Sequence, residues 1–363
     1  MIGERIKQAR TAAGLSLREL AEKVGVSAMA ISKYETGKST PSSGVLLSLS
    51  KALGVPVEYF LRTEQVELEE VEYRKHTKLP KKLLRQIEGD VIEQIERYLE
   101  LEHVFPTLPI KPFKIPKGLP ERINDYAEIE VVADRVRKAW DLGSNPIPEL
   151  TDTLEENGIK VFQTKLFHGN RFDGLAATVN GMPIIVVGEE WPGDRQRFTL
   201  AHELGHLLLK GRLSSALDEE KASNRFAGAF LVAKTVAFNE LGQRRHWLEP
   251  QELCVLKKVY GLSMGGWMHR ANDLDILADV HYQTMVRLFR GRGWHKEEPC
   301  DEYPREKTQL FTQLVYHALA EDLISESKAA ELLRVPLKQF HSERNLRNCD
   351  ARERANAARD RMS

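Results

Sequence analysis

Thr199-Leu-Ala-His-Glu-Leu-Gly-His-Leu-Leu-Leu209 is an apolar run interrupted by two histidines and one glutamate. Its residue pattern predicts a buried helix. His202 and His206 stand at i and i+4, one turn apart on one face, so both imidazoles can reach a single ion. Glu203 sits beside the first of them, placed to take a proton from a water activated by that ion. Zinc is the expected ion, with manganese as the alternative. A catalytic zinc site keeps three protein ligands, so a third must come from elsewhere. Asp218-Glu219-Glu220-Lys-Ala-Ser-Asn224-Arg-Phe-Ala-Gly-Ala-Phe-Leu231 is helical in period and supplies one. Glu220 and Asn224 share a face there, a carboxylate backed by a polar residue one turn on. Glu219 competes for the same place, and His246, His269, His281 and His295 are the remaining downstream candidates.

Working outward, helix and strand signals alternate. Residues 127–140 and 148–157 read as helices, with Gly158 ending the second. Residues 159–163, 174–179 and 183–187 are β-branched or alternating runs, and Asn180-Gly181 between the last two is a strong hairpin signal. Residues 194–210 are the active-site helix. Together they predict an α+β domain built on a small, mostly antiparallel sheet. The 174–179 strand, placed at a sheet edge, would bind a peptide by strand addition. His269 follows Trp267-Met268 on a predicted packing helix, and Trp294 reads as an anchor.

The chain of 363 residues is too long for a single core. No run of 18 or more uncharged apolar residues occurs, so no membrane span is expected. Met1-Ile-Gly-Glu-Arg carries charge at once, which argues against a signal peptide. Cys254, Cys300 and Cys349 lie far apart with no Cys-x-x-Cys pair. That excludes a disulfide framework and a thiolate zinc site, and fits a cytoplasmic protein.

The net charge of zero hides an asymmetry: residues 1–62 carry nine Lys or Arg against five Glu. An excess of +4 has the sign that DNA binding requires. Five short helices are expected here, at residues 2–13, 17–24, 28–35, 45–53 and 57–61, with Ser16 and Ser27 as N-caps and Gly14, Gly25 and Gly37 as stops. The second and third form a helix-turn-helix.

Leu15-Ser-Leu-Arg-Glu-Leu-Ala-Glu-Lys-Val-Gly-Val-Ser27, followed by Ile31-Ser-Lys-Tyr-Glu-Thr-Gly-Lys-Ser-Thr-Pro41, resembles the Cro/C1-type (XRE) repressor domain over residues 4–62. The resemblance makes residues 28–35 the recognition helix of the major groove, with Ser27, Ala28, Met29, Ser32 and Lys33 outward. Lys38 and Arg10 are then placed for phosphate contacts. Where family members often carry Gln, this chain has Leu17, and Ala28 and Met29 favour contact with thymine methyl groups.

A helix expected at 81–101 carries Leu84, Ile87, Val91, Ile95 and Tyr98 as a narrow stripe, compatible with a dimer seam or a docking face. Five prolines between Phe105 and Pro120 make that stretch an extended linker. Residues 307–321 and 325–333 read as two helices, and 341–363 as a frayed helix or tail.

Asp194-Arg-Gln-Arg-Phe-Thr-Leu-Ala-His-Glu-Leu-Gly-His206, with Glu220-x-x-x-Asn-Arg-Phe-Ala227, resembles the ImmA/IrrE metallo-endopeptidases. So do Ala139-Trp-Asp-Leu-Gly-x-x-Pro-Ile-Pro148, Leu154-Glu-x-x-Gly-Ile159 and Phe172-Asp-Gly174, from about residue 126 to 290. Carried over by position, His202, His206 and Glu220 are metal ligands and Glu203 is the base. Where relatives often close the last helix with Met-Pro, this chain has Val232-Ala233.

The expected architecture is therefore multidomain. An all-α helix-turn-helix domain (1–62) leads through a charged helix and Pro-rich linker (63–125) to an α+β HExxH metallopeptidase domain (126–290). A helical region (291–345) and a tail (346–363) follow. The expected function is that of a regulator bound to a DNA operator, controlled by zinc-dependent cleavage of itself or of a partner repressor. A homodimer is expected, since such repressors read two half-sites. The alternative is an antitoxin with a cognate toxin, autoregulatory DNA binding and a catalytically silent metal domain. Family relatives are associated with phage, mobile-element and stress regulation.

Overall fold

Serine caps punctuate the first sixty residues as their chemistry dictates. Ser16 and Glu19 form a capping box at the start of α2, and Ser27 and Ser42 accept from Ala30 and Val45 backbone N–H groups at the starts of α3 and α4. The computed structural model describes residues 2–62, 66, 68–73, 80–165 and 172–344. Its elements are α1 (Ile2–Ala12), α2 (Leu17–Val24), α3 (Ala28–Glu35), α4 (Ser43–Leu53), a 3-10 turn (Val57–Leu61), β1 (Glu69–Tyr73) and α5 (Lys81–His103). There follow α6 (Glu128–Ala139), α7 (Leu150–Glu156), β2 (Lys160–Thr164), β3 (Gly174–Val179), β4 (Met182–Gly188), α8 (Gly193–Leu209) and α9 (Glu219–Leu231). The chain closes with α10 (Lys234–Leu241), α11 (Pro250–Tyr260), α12 (Met264–Asp273), α13 (Asp279–Gly291), α14 (Leu310–Ala320), α15 (Glu326–Leu332) and α16 (Leu337–Arg344).

These elements divide into two units whose membership does not follow chain order. One comprises Met1–Val66, Arg85–Pro109 and Gln309–Ser363; the other comprises Glu67–Leu84 and Ile110–Thr308.

In the first unit, Ile6, Ala9, Leu20, Ala21, Ile31, Leu49, Tyr59 and Phe60 form the helix-turn-helix core. Gly3 lets α1 lie on the end of α3, since a Cβ there would stand 2.3 Å from the Tyr34 carbonyl oxygen. Gly89 of α5 meets Ala12 in the same way. The apolar stripe of α5 is therefore a docking face: Ile87, Val91, Ile95 and Tyr98 are buried within this chain. Around it, Arg5 Nη1 donates to Glu96 Oε1 at 2.5 Å with both side chains buried, and Arg97 Nη1 donates to the Leu332 carbonyl at 2.6 Å. Lys328 pairs with Glu100, and the Tyr98 ring lies tilted against Phe311 with centroids 5.5 Å apart. The helix α16 falls within the helical region expected to residue 345, with Phe340 buried and 5.9 Å from the Tyr316 ring. Residues 345–363, including Cys349 and most of the expected tail, lie outside the described residues.

The second unit is α+β. Its sheet has the order β1-β3-β4-β2, with the β1-β3 and β3-β4 pairs antiparallel and β2-β4 parallel. Asn180 (φ 50°) and Gly181 (φ 77°) make the two-residue turn between β3 and β4, as a type I′ turn requires. β1 was not expected, because three Glu in five residues make a poor strand former. Its pairing corrects the expectation of an open 174–179 edge: β3 is internal, and β1 lies on the side where a peptide would add.

Helices α6, α8 and α9 and one face of the sheet share the large core, including Val132, Val136, Ile185, Val187, Leu200, Leu204, Phe226 and Phe230. Helix α8 is apolar on most faces because it is buried on most faces. Helix α9 closes at Val232 and α10 begins two residues on, so Val232-Ala233 serves in place of Met-Pro. The linker's later residues pack on the turn after α7, where a Cβ on Gly158 (φ 84°) would meet Phe113 N at 2.3 Å.

Buried ion pairs hold this unit together. Arg270 forks onto Glu130 at 2.5 and 2.6 Å, with Arg225 Nε 2.8 Å from the same carboxylate. Burial pushes Glu130 upward, but the two guanidinium groups overcome it and hold the carboxyl below its ordinary value.

Candidate metal centre and DNA-reading helix

Close approach of α8 and α9 creates the centre. A Cβ on Gly205 would stand 3.2 Å from Ser223 Cα and 3.1 Å from Phe226 Cδ1, so the glycine allows the two helices to pack tightly. Asp218 caps α9 by accepting from Lys221 N at 2.9 Å, which places Glu219 and Glu220 in the first turn beside the two histidines. His202 and Glu203 are almost wholly buried, at 0% and 1% exposure.

Three donor atoms converge. His202 Nε2 and His206 Nε2 are 3.0 Å apart, and Glu220 oxygens lie 3.6 Å from the first and 3.8 Å from the second. Donors on a tetrahedral zinc, each about 2.0–2.1 Å from the ion, stand roughly 3.3 Å from one another. The spacing therefore fits the ion. Among the described residues, these three are the His, Cys, Asp and Glu side chains that group in this way.

The outer atoms of both rings are engaged. His202 Nδ1 lies 2.9 Å from Asn224 Oδ1, an acceptor, so Nδ1–H donates and Nε2 keeps its lone pair for the centre. His206 Nδ1 lies 3.3 Å from Glu219 Oε1 and donates in the same sense. Glu219, the sequence competitor for ligand, thus stands behind His206. The i+4 rule pointed to Asn224. No short-range pattern separates Glu219 from Glu220, and only the orientation of the first turn of α9 does.

Glu203 faces the sheet. A Cβ on Gly174, the first residue of β3, would stand 3.5 Å from Glu203 Oε1 and 2.5 Å from Thr199 Cγ2. Glycine at 174 is what lets β3 lie this close to the base.

The other histidines lie elsewhere. His246 and His281 form an exposed pair at 3.1 Å. His269 lies on α12, which Ser263 caps by accepting from Gly266 N, and its Nε2 is 2.8 Å from Tyr282 Oη of α13. Burial pushes the His269 ring below its ordinary pKa, with Asp273 opposing. His269 also lines a cavity of about 640 Å³ that reaches Asn224, Arg225 and Lys221 of α9. Trp294 packs edge-on against Phe289 at 5.2 Å.

In the first unit, α3 presents Met29 and Lys33, four residues apart on one face and both exposed, Met29 at 69%. Ser27 is exposed but its hydroxyl caps the helix. Ser32 is half-buried, and Lys38 is exposed beyond the helix end. Two expectations change. Ala28 is partly buried against the core and not fully outward. Arg10 forks onto Glu35 at 2.6 and 3.0 Å and donates to the Leu15 carbonyl at 2.9 Å, so it ties α1 to the end of α3. Arg5 and Arg62 also face carboxylates of α5, which leaves Lys33 and Lys38 as the exposed cations of α3 and the turn after it.

Comparison with known proteins supplies the family. Residues 6–60 match the model described as helix-turn-helix, and residues 154–272 match the one described as IrrE N-terminal-like domain. The SPbeta prophage-derived uncharacterized HTH-type transcriptional regulator YonR of Bacillus subtilis is 37% identical over 73 residues, 20% of this chain and 68% of that protein. The chain belongs to the HTH-type transcriptional regulators. An uncharacterized transcriptional regulator in the ATPase CF(0) region of Rhodospirillum rubrum is 44% identical over 59 residues, 16% of this chain and 55% of its own length. The HTH-type transcriptional regulator ImmR of Bacillus subtilis is 35% identical over 65 residues, 18% of this chain and 51% of that protein. The chain thus spans about half the length of the second and third of these relatives. No solved structure matches it. Both resemblances drawn from the motifs hold: an XRE-type reading module and an ImmA/IrrE-like domain occur in one chain.

Proposed function

We propose that this chain is a sequence-specific DNA-binding regulator, active as a homodimer in the cytoplasm, whose output is controlled by its own zinc-dependent metallo-endopeptidase domain. The observation that carries the reading is the convergence of His202, His206 and Glu220, each ring held from behind by Asn224 or Glu219. The domain's substrate is a repressor-like protein, this chain included.

His202 and His206 would hold the ion through Nε2, and Glu220 through its carboxylate. When bound, zinc supplies Lewis-acid polarisation of a peptide carbonyl and acidification of water. Glu203 accepts the proton of the attacking water and returns it to the leaving amine. Its burial beneath β3 keeps bulk water from competing for that proton. Asn224 and Glu219 fix the ring orientations, so the two lone pairs stay aimed at one point. None of the helices described is long and apolar enough to cross a membrane. Neither the site nor the named relatives favour the antitoxin alternative.

The DNA half is tested on the chain's own upstream region. Lys33→Ala and Met29→Ala are each expected to raise the Kd for that fragment about tenfold or more. If Lys33 contacts phosphate, its loss also lowers the salt slope by about one. Unaltered binding in both variants, by fluorescence anisotropy with the full chain, would remove α3 as the reading helix.

A further inference from the structure

β1 and β3 pair antiparallel, with Tyr73 opposite Leu175, Glu72 opposite Ala176 and Glu69 opposite Thr178, and with a register shift between Glu69 and Glu72. β1 therefore ends one residue short of Gly174, the position whose missing Cβ brings β3 within reach of Glu203. Neighbouring strands lie about 4.8 Å apart, so the backbone of β1 runs along the edge of β3 at the end nearest the base. A peptide laid antiparallel on β3 would occupy the same ground. Strand addition uses main-chain N–H and C=O groups, which are the same for any extended chain.

β1 is also a poor strand by composition. Glu69-Glu-Val-Glu-Tyr73 places three carboxylates in five residues, and Glu is depleted in strands. The register shift interrupts its ladder in the middle. β1 reaches β3 from about a hundred residues earlier in the chain. The strand is paired here by position more than by propensity, and such a strand is exchangeable.

We infer that β1 is the resident, in-cis ligand of a peptide-binding edge on β3, and that other extended chains must displace it to reach Glu203. This rests on the peptidase reading of the centre and adds its regulation: the connector between the two modules governs access to the site. The apparent affinity for any competing peptide is lowered by the fraction of molecules in which the edge is free.

The test uses the full chain in the Glu203→Gln background, which separates binding from turnover, with fluorescein-labelled denatured β-casein as probe. Glu72→Pro places a proline opposite Ala176, where β1 pairs with β3, removes that residue's N–H and is expected to tighten casein binding about tenfold. A synthetic peptide of sequence 66–73 should reverse that gain by competition. Casein binding unchanged or weakened in folded Glu72→Pro overturns the inference. Hydrogen exchange on the chain with unmodified β1 decides the case even if Glu72→Pro fails to fold. Saturating casein should deprotect the β1 amides while β3 stays protected, and unchanged protection of β1 overturns the inference. Casein cleavage by the chain with Glu203 intact is scored apart. A chain that binds zinc and exchanges β1 for casein, yet never cuts it, refutes the peptidase reading and leaves the strand exchange standing.

Discussion

Glu203→Gln is expected to keep its zinc and lose its turnover. Glutamine preserves the size and buried setting of the side chain but cannot accept a proton from water. General acid–base catalysis by a positioned carboxylate contributes about 10²–10⁴-fold, and the loss should fall in that range. The side chain is 1% exposed and faces Gly174 at the start of β3, so the substitution adds no atom to a tight contact. Cleavage of denatured β-casein and metal content, measured on the same preparations, check the claim. Zinc retained with undiminished cleavage would remove Glu203 as the base. Zinc lost along with cleavage would make it part of the metal scaffold.

Glu306→Ala has the largest expected effect on stability. Glu306 and Arg197 are both buried, and Arg197 Nη1 donates to Glu306 Oε1 at 2.6 Å. The second carboxylate oxygen accepts from Thr151 N at 2.8 Å. Arg197 also donates to the Ile147 and Pro148 carbonyls, so it pins the segment before α7 to the first half of α8. Alanine leaves a guanidinium without its carboxylate and a backbone N–H without its acceptor. Breaking such a pair costs about 3–5 kcal/mol. Urea unfolding of the full chain, followed by tryptophan fluorescence, reads it. A loss below about 1 kcal/mol, the range of an exposed pair, would show that the clamp does not hold α8.

Local chemistry was legible in the sequence, and long-range pairing was not. Ser16, Ser27 and Ser325 announce helix starts because capping is a contact over three residues, and Asn180-Gly181 announces its turn for the same reason. The i, i+4 spacings placed His202 with His206 and Glu220 with Asn224 on shared faces, and the packing of α8 on α9 brings the two faces together. Glu306 was invisible, since it lies in an irregular segment 109 residues from its partner. β1 was equally hidden, since its residues argue against a strand and its partner is remote. The stripe of α5 was visible as a stripe, but nothing in its spacing distinguished a seam between chains from a face docked on α1. Arg10 and Arg5 counted toward a basic surface until Glu35 and Glu96 were found opposite them.

Control of a DNA-reading module by the metal domain requires, before anything else, that the domain bind an ion through the side chains named. Elemental analysis of the purified full chain, wild type beside His202→Ala, measures this directly. Close to one zinc per wild-type chain and almost none in His202→Ala, with the variant still folded by circular dichroism, is the predicted result. Equal metal in the two proteins would contradict it.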